Sequence, residues 1–407
     1  MAKILIYGIN YTPDLTGIGK YTGEMGAWMA QQGHEVEVIT AMPYYPQWQI
    51  APSYKGKLWH TENIAGVKVK RCPLYVPAEI TGVSRMIHEF SFFLSSSVFW
   101  IAALFKKYDS IITPYPPLII GIWPCIYKYI HPKVRWVFHI QDLQVDAARE
   151  LNLIKNNRLL NALSRIELFW LRKADNVSSI SDGMKKRILA KGISEDKYIM
   201  LPNWADTEHI QPLPTELSMR GELGISADTR VILYSGNLGE KQGVDMIVDA
   251  ACILKDRRDI LFLIAGEGAS KDRLIKYADE KGVNENIRFL SLQPYNTLAS
   301  FLAVADLHLV LQKKSAADLV LPSKLISILS SGGVALVTAE PSTSLYEMVH
   351  DHRLGFICEP DNTEEFVETI LMALAQDTNE LSARARTYAE NNLSIDAILK
   401  RFEYQLM

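Results

Sequence analysis

The sequence repeats one local unit: a short apolar run, a glycine-bearing loop, and then an amphipathic segment of helical length. Lys3-Ile-Leu-Ile-Tyr-Gly8 leads to Gly17-Ile-Gly19 and an apolar-periodic stretch that ends at Gly33. Val231-Ile-Leu-Tyr-Ser235 leads to Gly236-Asn-Leu-Gly-Glu-Lys-Gln-Gly243, and Ile260-Leu-Phe-Leu-Ile-Ala265 leads to Gly266-Glu-Gly268. Strands joined through helices run parallel, so such units restrict the chain to an α/β fold with helices on both faces of its sheets. Strands are expected at 3–8, 35–40, 66–72, 109–113, 134–140, 176–180 and 197–201. A second series is expected at 231–235, 260–265, 286–290, 307–311, 334–338 and 355–357. Pro202-Asn-Trp-Ala-Asp206 and the Pro-bearing run Gln211–Thr215 read as the linker between the two series. The expected division is 1–205, 216–380, and a last amphipathic helix at 381–407.

Charge supports two partners rather than one. Residues 1–205 hold 24 Lys and Arg against 16 Asp and Glu, the remainder 19 against 30, so +8 and −11 combine to the chain's −3. A basic half joined to an acidic half expects a different partner for each. Nucleic acid is excluded, because the basic residues are dispersed and no binding motif accompanies them. Cys72, Cys125, Cys252 and Cys358 are scattered without metal-ligand spacing, which points to a reducing compartment and no disulfide framework. The opening strand lacks the long apolar core and cleavage site of a signal peptide, so a cytoplasmic protein is expected.

One segment raises the question of a membrane. Phe90–Phe105 is strongly apolar, with Arg85 before it and Lys106-Lys107 after it. Its 16 residues include four serines, and spanning a bilayer takes about 20 mostly apolar residues. A transmembrane helix is therefore rejected. The segment is either a core helix or one whose aromatic face, represented by Phe93 and Trp100, rests in the membrane interface. The basic charge of this half would favour anionic lipid.

Three features are suited to phosphate. Lys313–Gly333 holds Pro322-Ser-Lys324 followed by apolar residues at helical spacing and Gly332-Gly333. Proline fits the first turn of a helix, where the next backbone N–H groups are unpaired and the helix dipole adds positive charge. Lys324 adds a full charge beside Ser323, and the whole makes an anion site. The loops at Gly236 and Gly266 are two more such features on the same sheet edge. In the first half, Gly17 and Gly19 open a helix that can hold an anion, although an ordinary strand-to-helix turn would explain them equally well. His139-Ile-Gln-Asp142 ends an apolar strand, the place where open α/β sheets bind ligands. A lone histidine is more often a satisfied structural residue.

Together these residues resemble the retaining glycosyltransferases of family 4, GT-B type, over essentially the whole chain. The resemblance rests on Gly17-Ile-Gly19, Gly33-His34-Glu-Val, Asn203-Trp-Ala-Asp206, Gly236-Asn237 with Lys241-Gln-Gly243, Gly266-Glu-Gly268 and Pro322-Ser-Lys324. Tyr44-Tyr-Pro-Gln-Trp48, Arg71-Cys-Pro-Leu-Tyr-Val-Pro77 and Tyr234-Ser-Gly-Asn237 narrow it to members serving bacterial exopolysaccharide assembly of the colanic acid kind. The resemblance implies two Rossmann-like domains facing across a cleft. The first would take the acceptor and lie against the membrane; the second would take the nucleotide sugar, with the final helix crossing back onto the first. It implies L-fucose from GDP-fucose as the donor sugar and an undecaprenyl-diphosphate-linked glucose as the acceptor. The protein would be peripheral on the inner face of the cytoplasmic membrane.

It implies His139, Lys241 and Lys324 as catalytic residues. Gly17, Gly19, Asn237, Gly266, Glu267, Gly268, Asp318, Ser323 and Ser327 would contact the donor, with no metal and no cofactor. The chain departs from the family at the donor site. A glutamate pair eight residues apart is usual there, and these positions hold Leu319, with Asp318 beside it, and Ser327. Asn237 likewise replaces a usual basic residue, which leaves Lys241 and Lys324 as the diphosphate cations. Two other functions compete: a sugar-nucleotide epimerase of related fold, needing acid and base groups such as His139 and Asp142, and an inactive membrane-recruited scaffold.

Overall fold

The computed structural model describes residues 1–14, 17–150, 156–314, 322–341 and 343–406. The chain forms two compact units, Met1–Asn203 with Leu399–Met407, and Trp204–Ile398.

The first unit is built on eight strands: β1 (Lys3–Tyr7), β2 (Glu35–Ala41), β3 (His60–Ile64), β4 (Val67–Cys72), β5 (Ser110–Tyr115), β6 (Arg135–Ile140), β7 (Asn176–Ser179) and β8 (Tyr198–Met200). Their order is β3-β4-β2-β1-β5-β6-β7-β8. All neighbours are parallel except β3 and β4, which form an antiparallel edge pair. The sequence reading missed β3. His60-Thr-Glu-Asn-Ile64 has no apolar run, and its residues alternate between half-buried and exposed at the sheet margin.

The second unit holds β9 (Arg230–Ser235), β10 (Ile260–Ala265), β11 (Ile287–Leu290), β12 (Leu307–Val310), β13 (Ala335–Thr338) and β14 (Gly355–Cys358). The order is β11-β10-β9-β12-β13-β14, parallel throughout. Helices cover both faces, so central strands such as β10 are buried at every residue, which explains their continuous apolar runs. In each sheet the strand order reverses beside the first strand, between β1 and β5 and between β9 and β12. At such a reversal the following loops diverge to opposite faces and leave a crevice at the carboxyl ends.

The apolar segment before β5 is a helix, Gly82–Ala103, of 22 residues. It begins at a Thr81–Ser84 capping box, several residues before the apolar run seen in the sequence. By length and composition it could cross a membrane. One face is nevertheless packed in the core: Phe92, Ser96 and Trp100 are buried, and Trp100 stacks on Trp123 at 6.1 Å and meets the edge of Tyr7 at 5.1 Å. This corrects the placement of Trp100 on an outward face. The outward stripe is Met86, Ile87, Phe90, Leu94, Val98, Ile101 and Phe105, each at least half exposed.

The last amphipathic stretch is two helices rather than one. Asn379–Tyr388 passes into a wide turn, Ala389–Leu393, and Ser394 is extended (φ −70°, ψ 152°) before Ile395–Leu406. Ser394 pairs there with Ala205 in a short bridge. Within the first unit, Glu403 lies 2.6 Å from the ring of His34, and the Arg135 guanidinium donates to the Leu406 carbonyl at 3.1 Å.

Candidate active site

The second sheet's crevice gathers most of the residues read as donor-binding. The loop after β9 and the loop after β10 run backbone to backbone. Leu238 N–H donates to the Glu267 carbonyl at 2.9 Å, and Ser270 N–H donates to the Leu238 carbonyl at 2.9 Å. Glycine is what allows this approach. A Cβ on Gly266 would stand 1.9 Å from the Gly236 oxygen, and one on Gly268 would stand 2.4 Å from the Leu238 oxygen. Gly266 and Gly268, read in the sequence as donor-binding, allow this contact between the two loops. Glu267 points to solvent and pairs with Lys271 at 2.8 Å, one helical turn on. Asn237 is exposed, and its carbonyl accepts from the Tyr234 hydroxyl at 2.7 Å.

Lys324 stands in the middle of this arrangement. The helix Ser323–Ser330 starts directly after Pro322, without a side-chain cap, so its first N–H groups are left to other partners. Lysines ordinarily lay their stems on the protein and extend the ammonium into water. Lys324 does the reverse: the residue is partly exposed, yet its Nζ is buried and has no hydrogen-bond partner among the described residues. The ammonium lies 3.9 Å from the centroid of the Tyr234 ring. It would also be 3.1 Å from a Cβ on Gly236, a space left open by glycine. Burial lowers its pKa to about 7. A cation held out of water without an anion costs several kcal/mol, and the ring face returns only part of that.

Other predicted residues are placed less directly. Ser323 is exposed at the helix start, and Ser327 is half-buried one turn later. Lys241 is exposed in the turn Glu240–Gln242, its carbonyl accepting from Lys313 N–H at 3.0 Å. Asp318 and Leu319 lie outside the described residues. Two residues without an assigned role in the sequence belong here: Tyr234, under the ammonium, and Lys313, whose stem would be 3.2 Å from a Cβ on Gly243. Among the described residues no group of three or more His, Cys, Asp or Glu could hold a metal ion.

Gly17, Gly19 and His139 belong to the first unit. Gly17 opens a helix at φ +61°, and a Cβ on Gly19 would stand 2.5 Å from that of Asp14, which is buried beneath it. His139, in β6, is 3 % exposed and neutral, its pKa lowered by burial to about 3. Its Nδ1–H faces the Ser178 hydroxyl at 2.8 Å, and Nε2 accepts from the Gln141 amide at 2.8 Å. Both nitrogens are thus engaged, and a catalytic part requires Gln141 to give up Nε2.

Comparison with known proteins gives a consistent result. Residues 16–204 match the model of a glycosyl transferase 4-like domain, and residues 216–392 match that of the glycosyl transferases group 1. The Escherichia coli (strain K12) glycosyl transferase WcaI, named for colanic acid biosynthesis, is 40% identical over 98% of both chains. Among solved structures, a sucrose-phosphate synthase from Thermosynechococcus elongatus aligns with a TM-score of 0.73 at 16% identity over 99% of this chain and 98% of its own. Anabaena Alr3699/HepE in complex with UDP aligns with a TM-score of 0.71 at 14% identity over 99% of each.

Proposed function

The chain belongs to the family-4 glycosyltransferases of GT-B fold, and on that basis we propose that it moves a sugar from a nucleotide donor to a polyprenyl-diphosphate-linked saccharide during assembly of an exopolysaccharide of the colanic acid kind. The second unit would take the donor and the first the acceptor, with L-fucose from GDP-fucose as the expected sugar. The name of the 40% identical relative supports the pathway, and a nucleotide donor accords with the glycosyl transferase models that match both halves of the chain.

The observation that carries this reading is the buried ammonium of Lys324, without a hydrogen-bond partner among the described residues, at an open helix start. Sugar transfer places growing negative charge on the leaving diphosphate and positive charge on the anomeric carbon. A cation and backbone N–H groups fixed beforehand stabilise the diphosphate without reorganising, and removing one such contact costs about 3 kcal/mol in the transition state. Lys241, on the neighbouring loop, would add a second charge once the donor is bound.

Six outward apolar residues on the helix Gly82–Ala103 and Phe105 just beyond it, with Arg85 and Lys107 exposed at the two ends, support docking of the first unit on the membrane's inner face. Purified protein incubated with GDP-fucose and undecaprenyl-diphosphate-linked glucose is expected to release GDP and form the fucosylated lipid. Release of GDP without a sugar product would count against transfer to that acceptor. No turnover with any of a panel of nucleotide sugars would favour an inactive scaffold.

A further inference from the structure

The outer edge of the second sheet carries open backbone groups with a cavity beside them. β14 is the last strand there and pairs on one side only, with β13. The Cys358 carbonyl accepts from Ala339 N–H at 3.1 Å, so Cys358 and Phe356 turn their backbone groups towards β13. Successive residues of a strand turn these groups to opposite sides. Those of Gly355 and Ile357 therefore face outward, with no partner among the described residues. The outward Glu359 N–H is taken by the Glu365 carboxylate at 3.2 Å, which closes the open stretch at its carboxyl end.

A cavity of about 650 Å³ borders this stretch, lined among others by Tyr346, His350, Arg353, Phe356 and Glu365. The Tyr346 and His350 rings stack there at 5.2 Å, 14° from parallel. An unpaired strand edge is a template for another extended chain, and a pocket beside it takes that chain's side chains.

The charge around the edge says which chain. Residues 347–368 run from the helix Ser344–Asp351 through β14 into the helix Thr363–Ala375. They hold seven Asp and Glu against one Lys or Arg, which is Arg353. Six of the seven, Glu347, Asp351, Glu359, Asp361, Glu364 and Glu368, are exposed. Such a surface repels anionic lipid and phosphate, and it repels the same edge of a second copy. It attracts a strand rich in Lys and Arg.

We propose that β14 is a docking edge for a basic segment of another protein, which extends the six-stranded sheet by one strand and sets side chains into the cavity. Main-chain hydrogen bonds to Gly355 and Ile357 supply the affinity, and the acidic rim selects the partner. None of these residues belongs to the site around Lys324, so the proposal stands apart from the transferase reading. If the protein docks on the membrane's inner face, such segments are close at hand, because the cytoplasmic flanks of membrane proteins are rich in Lys and Arg.

The test uses two short end-labelled peptides, one alternating Lys with Val and the other Glu with Val, titrated by fluorescence anisotropy. The basic peptide is expected to saturate the wild-type protein, and the acidic one not to bind. N-methylation of the basic peptide's backbone keeps its charge and removes its donors, and should weaken binding about 10-fold or more. Ile357→Pro removes an outward N–H at an edge position where proline is tolerated, and should weaken it about as much. Glu359→Lys with Glu368→Lys should also weaken it about 10-fold at low salt. GDP affinity should stay that of wild type in both variants, which reports that the second unit is folded. Failure of the basic peptide to bind wild type would overturn the proposal. Equal binding of the N-methylated peptide would also overturn it, by reducing the contact to charge alone, as would equal binding by the double Lys variant. A wild-type dimer in solution that Ile357→Pro dissociates would give the edge to a second copy, against the proposal. If Ile357→Pro unfolds, the N-methylated peptide on the wild-type protein decides.

Discussion

The Lys324 ammonium lies 3.9 Å from the centroid of the Tyr234 ring, and among the described residues it has no hydrogen-bond partner. A buried ammonium so placed costs stability, and on the reading proposed above an incoming diphosphate would offset that cost. Lys324→Met should expose the trade. The thioether fits the same space against the ring, and removing a buried unpaired charge should raise Tm by a few degrees. Turnover should fall about 100-fold or more, because one fixed contact to the leaving group has gone. A lower Tm together with near-normal turnover would refute the assignment.

The same burial predicts a pH dependence for nucleotide binding. Lys324 has a pKa of about 7 in the free protein, below its ordinary value of 10.5. A bound diphosphate favours the charged form and raises that pKa again. Above pH 7 binding must then take up a proton, and GDP affinity should fall by up to about 10-fold per pH unit until the pKa of the complex is reached. The sign for folding is opposite. Between pH 7 and 10.5 the unfolded chain binds more protons than the native state at this residue, so its contribution to stability improves as pH rises. Calorimetry in buffers of different ionisation heat reads the proton directly. A Kd flat from about pH 7 to pH 9 would remove Lys324 from the phosphate site.

Gly266 offers a test of the scaffold below that site. Alanine there would drive its methyl into the Gly236 carbonyl, 1.9 Å away, and that oxygen is backbone, with no side chain to move aside. We expect a loss of about 2–3 kcal/mol and a Tm lower by roughly 5–10 °C, with weaker GDP binding. Gly221→Ala, where a Cβ would meet nothing within 4 Å, is the matched control and should be neutral. Equal stability of the two variants would mean that the loops are not packed as described.

The parallel architecture was legible because each strand–loop–helix unit announces itself by periodicity and glycine. The loops at Gly236 and Gly266 were found for that reason, but their contact with one another was not, since it joins two units 30 residues apart in sequence. Pro322 and Lys324 showed a helix start and a cation; the inward turn of the ammonium and the part of Tyr234 needed coordinates. His139 was read from its place at a strand end, and its Ser178 partner comes from β7, which sequence spacing cannot reveal. The break at Ser394 was invisible because the amphipathic pattern continues through it.

The helix Gly82–Ala103 shows the same limit and supplies the last prediction. Its sequence is apolar nearly all round, so periodicity alone could not separate a packed face from a free one. The structure separates them: Trp100 is fully buried, whereas Leu94 is 52% and Ile101 55% exposed. Beside the free stripe, Trp59 is 46% exposed, and its indole N–H donates to the Ser95 carbonyl at 2.9 Å. A tryptophan so placed suits the headgroup region. Leu94→Ser with Ile101→Ser should leave Tm within about 2 °C, since surface changes are usually worth under 0.5 kcal/mol each. Binding to vesicles containing phosphatidylglycerol should weaken markedly in that double variant. Wild-type binding should also weaken with added salt, because each basic residue near such a surface contributes about 1 kcal/mol and is screened beyond about 10 Å. Trp100→Ser is the contrasting case and should unfold the first unit, since removing so large a core ring costs about 3–5 kcal/mol. If the double variant binds vesicles as wild type does, the stripe is not the docking face.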